Sequence, residues 1–350
     1  MKGRHFLRLF CLVTTLCLVR GVVLLAQEPT GGGSLIRDLT GGASLIFRAP
    51  KDPIVHIAST VQNAVGGGKI KGKKQPPPKQ QPVKKQDQII ARANAARSAP
   101  KPRYAEAEEQ YRLAAQIAPD DARAFAGLGN VYVDQARFSD AVNSYQQSLK
   151  VKPDYSSVLL PLAFSLARMD RYPESIDVYQ QALKVEPANP EIFNNLSFAY
   201  NHTNRYQEGV DASQKAITLL GDTGQAYTQG YQERKEALSY AYKNLGNAYN
   251  GLNKFEEAAK ALKRAAEIEP TNAAAHFNLG LTLYNAGRYS EAIEAYKEVI
   301  KLRPTLAQAH FNLGMTYYAI DDRKQAMGEY ELLKTINPAM AEELRKAIKQ

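Results

Sequence analysis

Tryptophan is missing from the whole of this 350-residue chain, and only two cysteines occur, Cys11 and Cys17. Both lie in the first apolar stretch, so neither a disulfide framework nor a Cys-x-x-Cys metal knuckle can be built from them. Acidic residues are missing from 66–86, where seven lysines and four prolines stand. Of the 45 basic and 35 acidic residues, 14 and 4 fall within 1–87, which leaves 31 of each sign for 88–350. The body of the chain is therefore neutral. That excludes reading it as a basic nucleic-acid-binding domain, although the isoelectric point is near 9.3.

Motifs for chemistry are also missing. There is no Walker loop, no His-Glu-x-x-His and no Gly-x-Ser-x-Gly elbow. His276 and His310 are 34 residues apart in equivalent slots of a repeat; neighbouring helices at typical spacing put them about 10 Å apart, too far to share one metal ion. A packing role is expected for both. Asn195-Leu-Ser197 and Asn201-His-Thr203 match the glycosylation pattern, but both fall inside a predicted helix and are set aside. No catalytic residue, metal ligand or cofactor is assigned, and the chain is expected not to be an enzyme.

What is present begins with a basic head, Met1 to Arg8, then an apolar core over 9–19, then Arg20 and a second apolar stretch ending at Ala26. This is the layout of a secretory signal peptide, with cleavage expected after Ala26 and the mature protein periplasmic or secreted. The competing reading is an inner-membrane anchor over 9–26, 18 positions with an arginine inside, against about 20 apolar residues for a span. Residues 27–87 change character. Thr30-Gly31-Gly32-Gly33-Ser34-Leu35-Ile36 is written again as Thr40-Gly41-Gly42-Ala43-Ser44-Leu45-Ile46. Two short strands could pair there, but a lone hairpin is marginal in water. The lysine- and proline-rich 66–86 cannot bury enough apolar surface to offset chain entropy, so 27–87 is read as a largely disordered linker. Its lysines offer a grip on anionic lipid or cell-wall polymer.

From 88 onward the chain repeats. Gly246, Gly280 and Gly314 each follow Asn-Leu, 34 residues apart. A closing proline or its substitute ends each unit at Pro119, Pro153, Pro187, Gly221, Pro270, Pro304 and Pro338. Small residues recur at the second helix, as Ala141, Ser175, Gly209, Ala258, Ala292 and Ala326, and an aromatic precedes most of them by three positions, as in Phe138, Tyr172 and Tyr289. The units are 122–155, 156–189, 190–223, 239–272, 273–306 and 307–340, with a degenerate repeat or cap at 88–121, an insertion at 224–238 and a polar capping helix at 341–350. Each unit reads as two amphipathic helices joined by a tight turn. One hairpin cannot bury its apolar face alone, so neighbours must stack.

This pattern resembles the tetratricopeptide repeat family over about 250 residues. The resemblance implies an all-α, right-handed α-solenoid of stacked helix-turn-helix units and a protein or peptide partner. It also implies that positions 2, 5, 6, 9, 12 and 13 of each first helix line the inner groove. Position 6 is asparagine in four successive units: Asn195, Asn244, Asn278 and Asn312. A carboxamide both donates and accepts, so stacked amides can pair with the backbone of a bound peptide; the row resembles the asparagine ladder of O-GlcNAc transferase. Beside it stand Phe277, Leu281 and Tyr284 in one unit and Phe311, Met315 and Tyr318 in the next. Lys243, Asn247 and Asn278 match part of the carboxylate clamp of chaperone-docking repeats, but Gln308 and Asn312 replace its remaining cations. Asn272 is read as an indifferent turn residue. The function expected is a non-catalytic protein-interaction scaffold of the cell envelope. Its rival is polymer or lipid binding through residues 66–86, with the repeats as a spacer.

Overall fold

The structure is a computed structural model that describes residues 84–221 and 231–349. The signal or anchor at 1–26, the linker up to 83, the paired Gly-Gly segments and the first part of the insertion, 224–230, lie outside the described residues. Within them every regular element is helical. The chain divides into two compact units at Leu252/Asn253.

The first unit holds α1 (Lys85–Arg97), α2 (Tyr104–Ile117), α3 (Ala122–Asp134), α4 (Phe138–Val151), α5 (Leu159–Arg168), α6 (Tyr172–Val185), α7 (Pro190–His202), α8 (Tyr206–Leu220) and α9 (Tyr231–Gly251). Helices α1/α2, α3/α4, α5/α6 and α7/α8 form antiparallel pairs that stack in order, and α9 packs on both α7 and α8. The second unit holds α10 (Phe255–Ile268), α11 (Ala273–Asn285), α12 (Tyr289–Leu302), α13 (Ala307–Ala319), α14 (Arg323–Ile336) and α15 (Pro338–Lys349). There α11/α12 and α13/α14 are the pairs, with α10 against α11 and α15 against α13 and α14.

Local chemistry sets the ends of these helices. Proline disfavours the α conformation in the residue before it. Accordingly Lys152, Glu186, Glu269, Arg303 and Asn337 each have ψ between 70° and 93°, and the preceding helix stops. Gly221 ends α8 with a φ of 70° instead. Asp121, Asn189 and Asn272 cap α3, α7 and α11 by accepting backbone N–H groups. Asn272 is thus not indifferent: an N-cap of this kind stabilises a helix by about 1 kcal/mol. The turns inside α3/α4, α5/α6, α7/α8 and α13/α14 each use one left-handed residue, with φ 57–61° at Ala136, Asp170, Asn204 and Asp321, and the α11/α12 turn uses Gly287 at 74°.

Packing within a pair depends on matched sizes. A Cβ at Gly129 would overlap the Tyr145 ring, and one at Gly280 would overlap Tyr296. Both tyrosines are buried. The α7/α8 pair makes the opposite choice. Ser213 stands where the other pairs have tyrosine, Ser197 stands in the glycine slot, and their hydroxyls meet at 2.5 Å. At the amino-terminal end, Arg97 on α1 reaches Asp134 on α3 at 2.6 Å, an ion pair 9% and 21% exposed.

Candidate functional site

The residues predicted to line the groove fall into two environments. In the first unit, Asn195 and Asn244 are fully buried and Lys243 is 2% exposed. These three do not face a groove, which corrects the sequence expectation. The reason is the close approach of α9 to α7. The Asn194 Nδ2 donates to the Ala237 carbonyl at 3.1 Å, Asn244 Nδ2 to the Asn194 carbonyl at 3.1 Å, and Asn201 Nδ2 to the Asn244 carbonyl at 2.9 Å. The amides do pair with a backbone, but it is the neighbouring helix's. Gly209 makes room for Asn201, since a Cβ there would overlap its Oδ1. Lys243 lays its ammonium 4.5 Å from the Tyr240 ring centre, so it cannot meet a ligand carboxylate, and the clamp reading fails at its first cation. Asn247 is half-buried on the same helix. Burial of Asn195 also closes the first glycosylation pattern in the folded chain.

In the second unit the outcome differs. Phe277, Asn278, Leu281 and Tyr284 on α11, and Phe311, Asn312, Met315 and Tyr318 on α13, are all half-buried. Helices α11 and α13 touch, so the two sets share one surface. Its aromatic rings are held from behind. Phe277 meets Tyr296 edge-on with ring centres 5.8 Å apart, and Tyr284 meets Tyr289 at 5.4 Å. Phe311, Met315 and Tyr318 pack against the cluster that α15 completes with Leu344 and Ile348. Burial pushes the pKa of the Tyr296 hydroxyl up, and the nearby Asn312 carboxamide opposes that shift. Leu281 lies one turn from both Phe277 and Tyr284 on α11. Positions 2, 5, 6, 9, 12 and 13 of both helices, from Ala274 to Asn285 and from Gln308 to Ala319, carry no charge.

The two repeat histidines pack as expected and do more. Each Nε2 meets the carbonyl of the proline that closes the preceding unit, His276 to Pro270 at 3.0 Å and His310 to Pro304 at 2.9 Å. His310 is buried, and its Nδ1 also meets Glu329 at 2.6 Å. Only the protonated ring can donate to both acceptors, and Glu329 raises the pKa of His310 above its usual value. A raised folded pKa gives stability that is complete below the unfolded value of 6.5 and is lost as pH rises through the folded one. Denaturant titrations of wild type and His310→Gln should therefore differ most at mildly acidic pH and converge above neutrality. An equal difference at every pH would remove the charged bridge.

Elsewhere, an open recess of about 420 Å³ lies between α2, α3 and α4 over Phe125, Leu128 and Tyr132. It contains none of the predicted residues. Among the described residues no group of three or more His, Cys, Asp or Glu is placed to hold a metal ion. No helix of the described residues is long and apolar enough to cross a membrane.

Stacked helical hairpins, with an uncharged, half-buried aromatic surface on α11 and α13, define a helical-repeat protein. Four family models described as tetratricopeptide repeat match residues 124–159, 165–201, 243–307 and 307–340, and across 124–340 the chain belongs to the tetratricopeptide repeat family. A tetratricopeptide repeat protein from Parabacteroides merdae is 14% identical, with 76% of this chain and 99% of that one covered at a TM-score of 0.55. The Pseudomonas aeruginosa pilF protein is 17% identical, with 65% and 98% covered at 0.51. YrrB, a repeat protein with an unusual peptide-binding site, is 20% identical, with 59% and 100% covered at 0.44. At these identities the likeness is one of fold. No curated protein matches the chain at a significant level.

Proposed function

We propose that the chain is a non-catalytic interaction scaffold of the cell envelope, exported by residues 1–26, that holds a partner's peptide or helix on the inner face of α11 and α13. The observation that carries this reading is the uncharged, half-exposed aromatic surface of those two helices. Such a surface gains from covering apolar area and cannot steer a charged ligand. The carboxamides of Asn278 and Asn312 add donors and acceptors suited to a main chain. The observation favouring the rival is the concentration of seven lysines in 66–86.

Salt separates the two. Exposed charges are screened beyond about 10 Å at 0.1 M salt and about 3 Å at 1 M. Capture of the partner from envelope extract by the full chain is expected to hold within about twofold as salt rises between those limits. A steep fall over the same range would hand the function to the linker lysines.

A further inference from the structure

We propose that the uncharged inner face of α11 and α13 is the docking site for the chain's own segment 30–47, a resident ligand that an outside partner must displace. This rests on the groove reading above and names an occupant for the same surface. Each copy of the doubled segment, 30–36 and 40–46, is free of charge, and Arg37 and Asp38 between them cancel. That matches a face with no charged residue at its inner slots.

The segment's chemistry also divides as the face does. Gly31-Gly32-Gly33 and Gly41-Gly42 leave their N–H and C=O groups uncovered by side chains, within the hydrogen-bonding repertoire of the Asn278 and Asn312 carboxamides. Leu35-Ile36 and Leu45-Ile46-Phe47 follow after one and two small residues and supply apolar side chains for Phe277, Leu281 and Met315. The lysines of 66–86 have no counter-charge on this face, so the neighbouring linker is the wrong occupant.

Thirty-six residues, 48–83, tether the segment to Lys84. Covalent attachment makes the docking intramolecular, and a tether that spans the two sites gives an effective concentration on the order of 1 mM. An intrinsic affinity of about 0.1 mM would then fill the face about nine-tenths of the time, and an outside peptide would bind about tenfold more weakly than to an empty face.

The test places a photo-reactive benzophenone side chain at Leu281 in the full chain, with Phe277 as a second position in case the first disturbs folding. Illumination should join it to residues 30–47, in a species of one-chain mass that survives dilution. Changing Leu35, Ile36, Leu45 and Ile46 together to serine should abolish that product. The same variant should bind a synthetic peptide of residues 30–47 about tenfold more tightly than wild type does. Cross-links that avoid 30–47 at both positions, or that join two chains only, would overturn the proposal, as would equal peptide affinity in the two proteins. If the groove reading itself is wrong, the peptide binds neither protein. If only the resident ligand is wrong, both proteins capture the envelope partner equally and Leu281→Lys weakens both.

Discussion

Tyr145→Ala is expected to remove a large part of the stability of the first unit. The side chain is fully buried, its ring fills the space that Gly129 leaves open, and its hydroxyl donates to Asn130 Oδ1 at 2.8 Å. Truncating a buried aromatic to alanine costs about 3–5 kcal/mol, because the transfer free energy is lost and the cavity relaxes only in part. A domain of this kind has about 5–15 kcal/mol in total. With a urea slope of about 2 kcal/mol per molar, the midpoint for loss of helical circular dichroism should fall by about 2 M. Tyr145→Phe keeps the ring and gives up one hydrogen bond, so it should cost about 1 kcal/mol. An unchanged midpoint for the alanine variant would mean that the Gly129–Tyr145 contact does not hold α3 to α4.

The helix pairs that such contacts hold were legible in the sequence because their cause is local. A 34-residue period puts the small slot and the bulky slot at fixed positions, and a closing proline forces its predecessor out of the helix wherever it stands. Hence the helix pairs, their ends and the packing role of His276 and His310 follow from residue types alone.

The inner face was legible only in part, since slots that are equivalent in sequence are not equivalent in exposure. Asn244 and Asn312 share one position, yet the first is sealed between α9 and α7 while the second stays half-open. What separates them is how closely neighbouring first helices approach. In the first unit Ser197, Gly209 and Ser213 remove the bulk that Tyr145 and Tyr296 supply elsewhere, and Asn194, Asn201 and Asn244 bridge the resulting contact. That run of small residues was a readable signal, since a missing tyrosine beside a glycine marks where helices draw together. The Lys243 error has the same source. A register shows where a side chain starts, and only packing shows whether its end reaches water.

Leu281→Lys should therefore disrupt binding where Asn244 or Lys243 substitutions report on packing instead. Leu281 is half-buried and lies between Phe277 and Tyr284 along α11. Covering such a leucine contributes about 1.5–3 kcal/mol to an interface, roughly 10- to 150-fold in affinity. An ammonium in its place adds a desolvation penalty that no acidic residue on the face can offset, so the loss should lie at or beyond the upper end of that range. Stability should move by about 0.5 kcal/mol or less, because the lysine stem can lie along the same surface and keep its head in water. Leu281→Met keeps the volume and apolar character and should bind nearly as wild type. Leu332→Lys, at a site already 49% exposed on α14, controls for added charge and should be silent. Titration of the captured partner against these three variants decides the matter. Wild-type affinity for Leu281→Lys, together with loss of capture when the lysines of 66–86 become alanine, would show that the linker binds and the repeats merely space it.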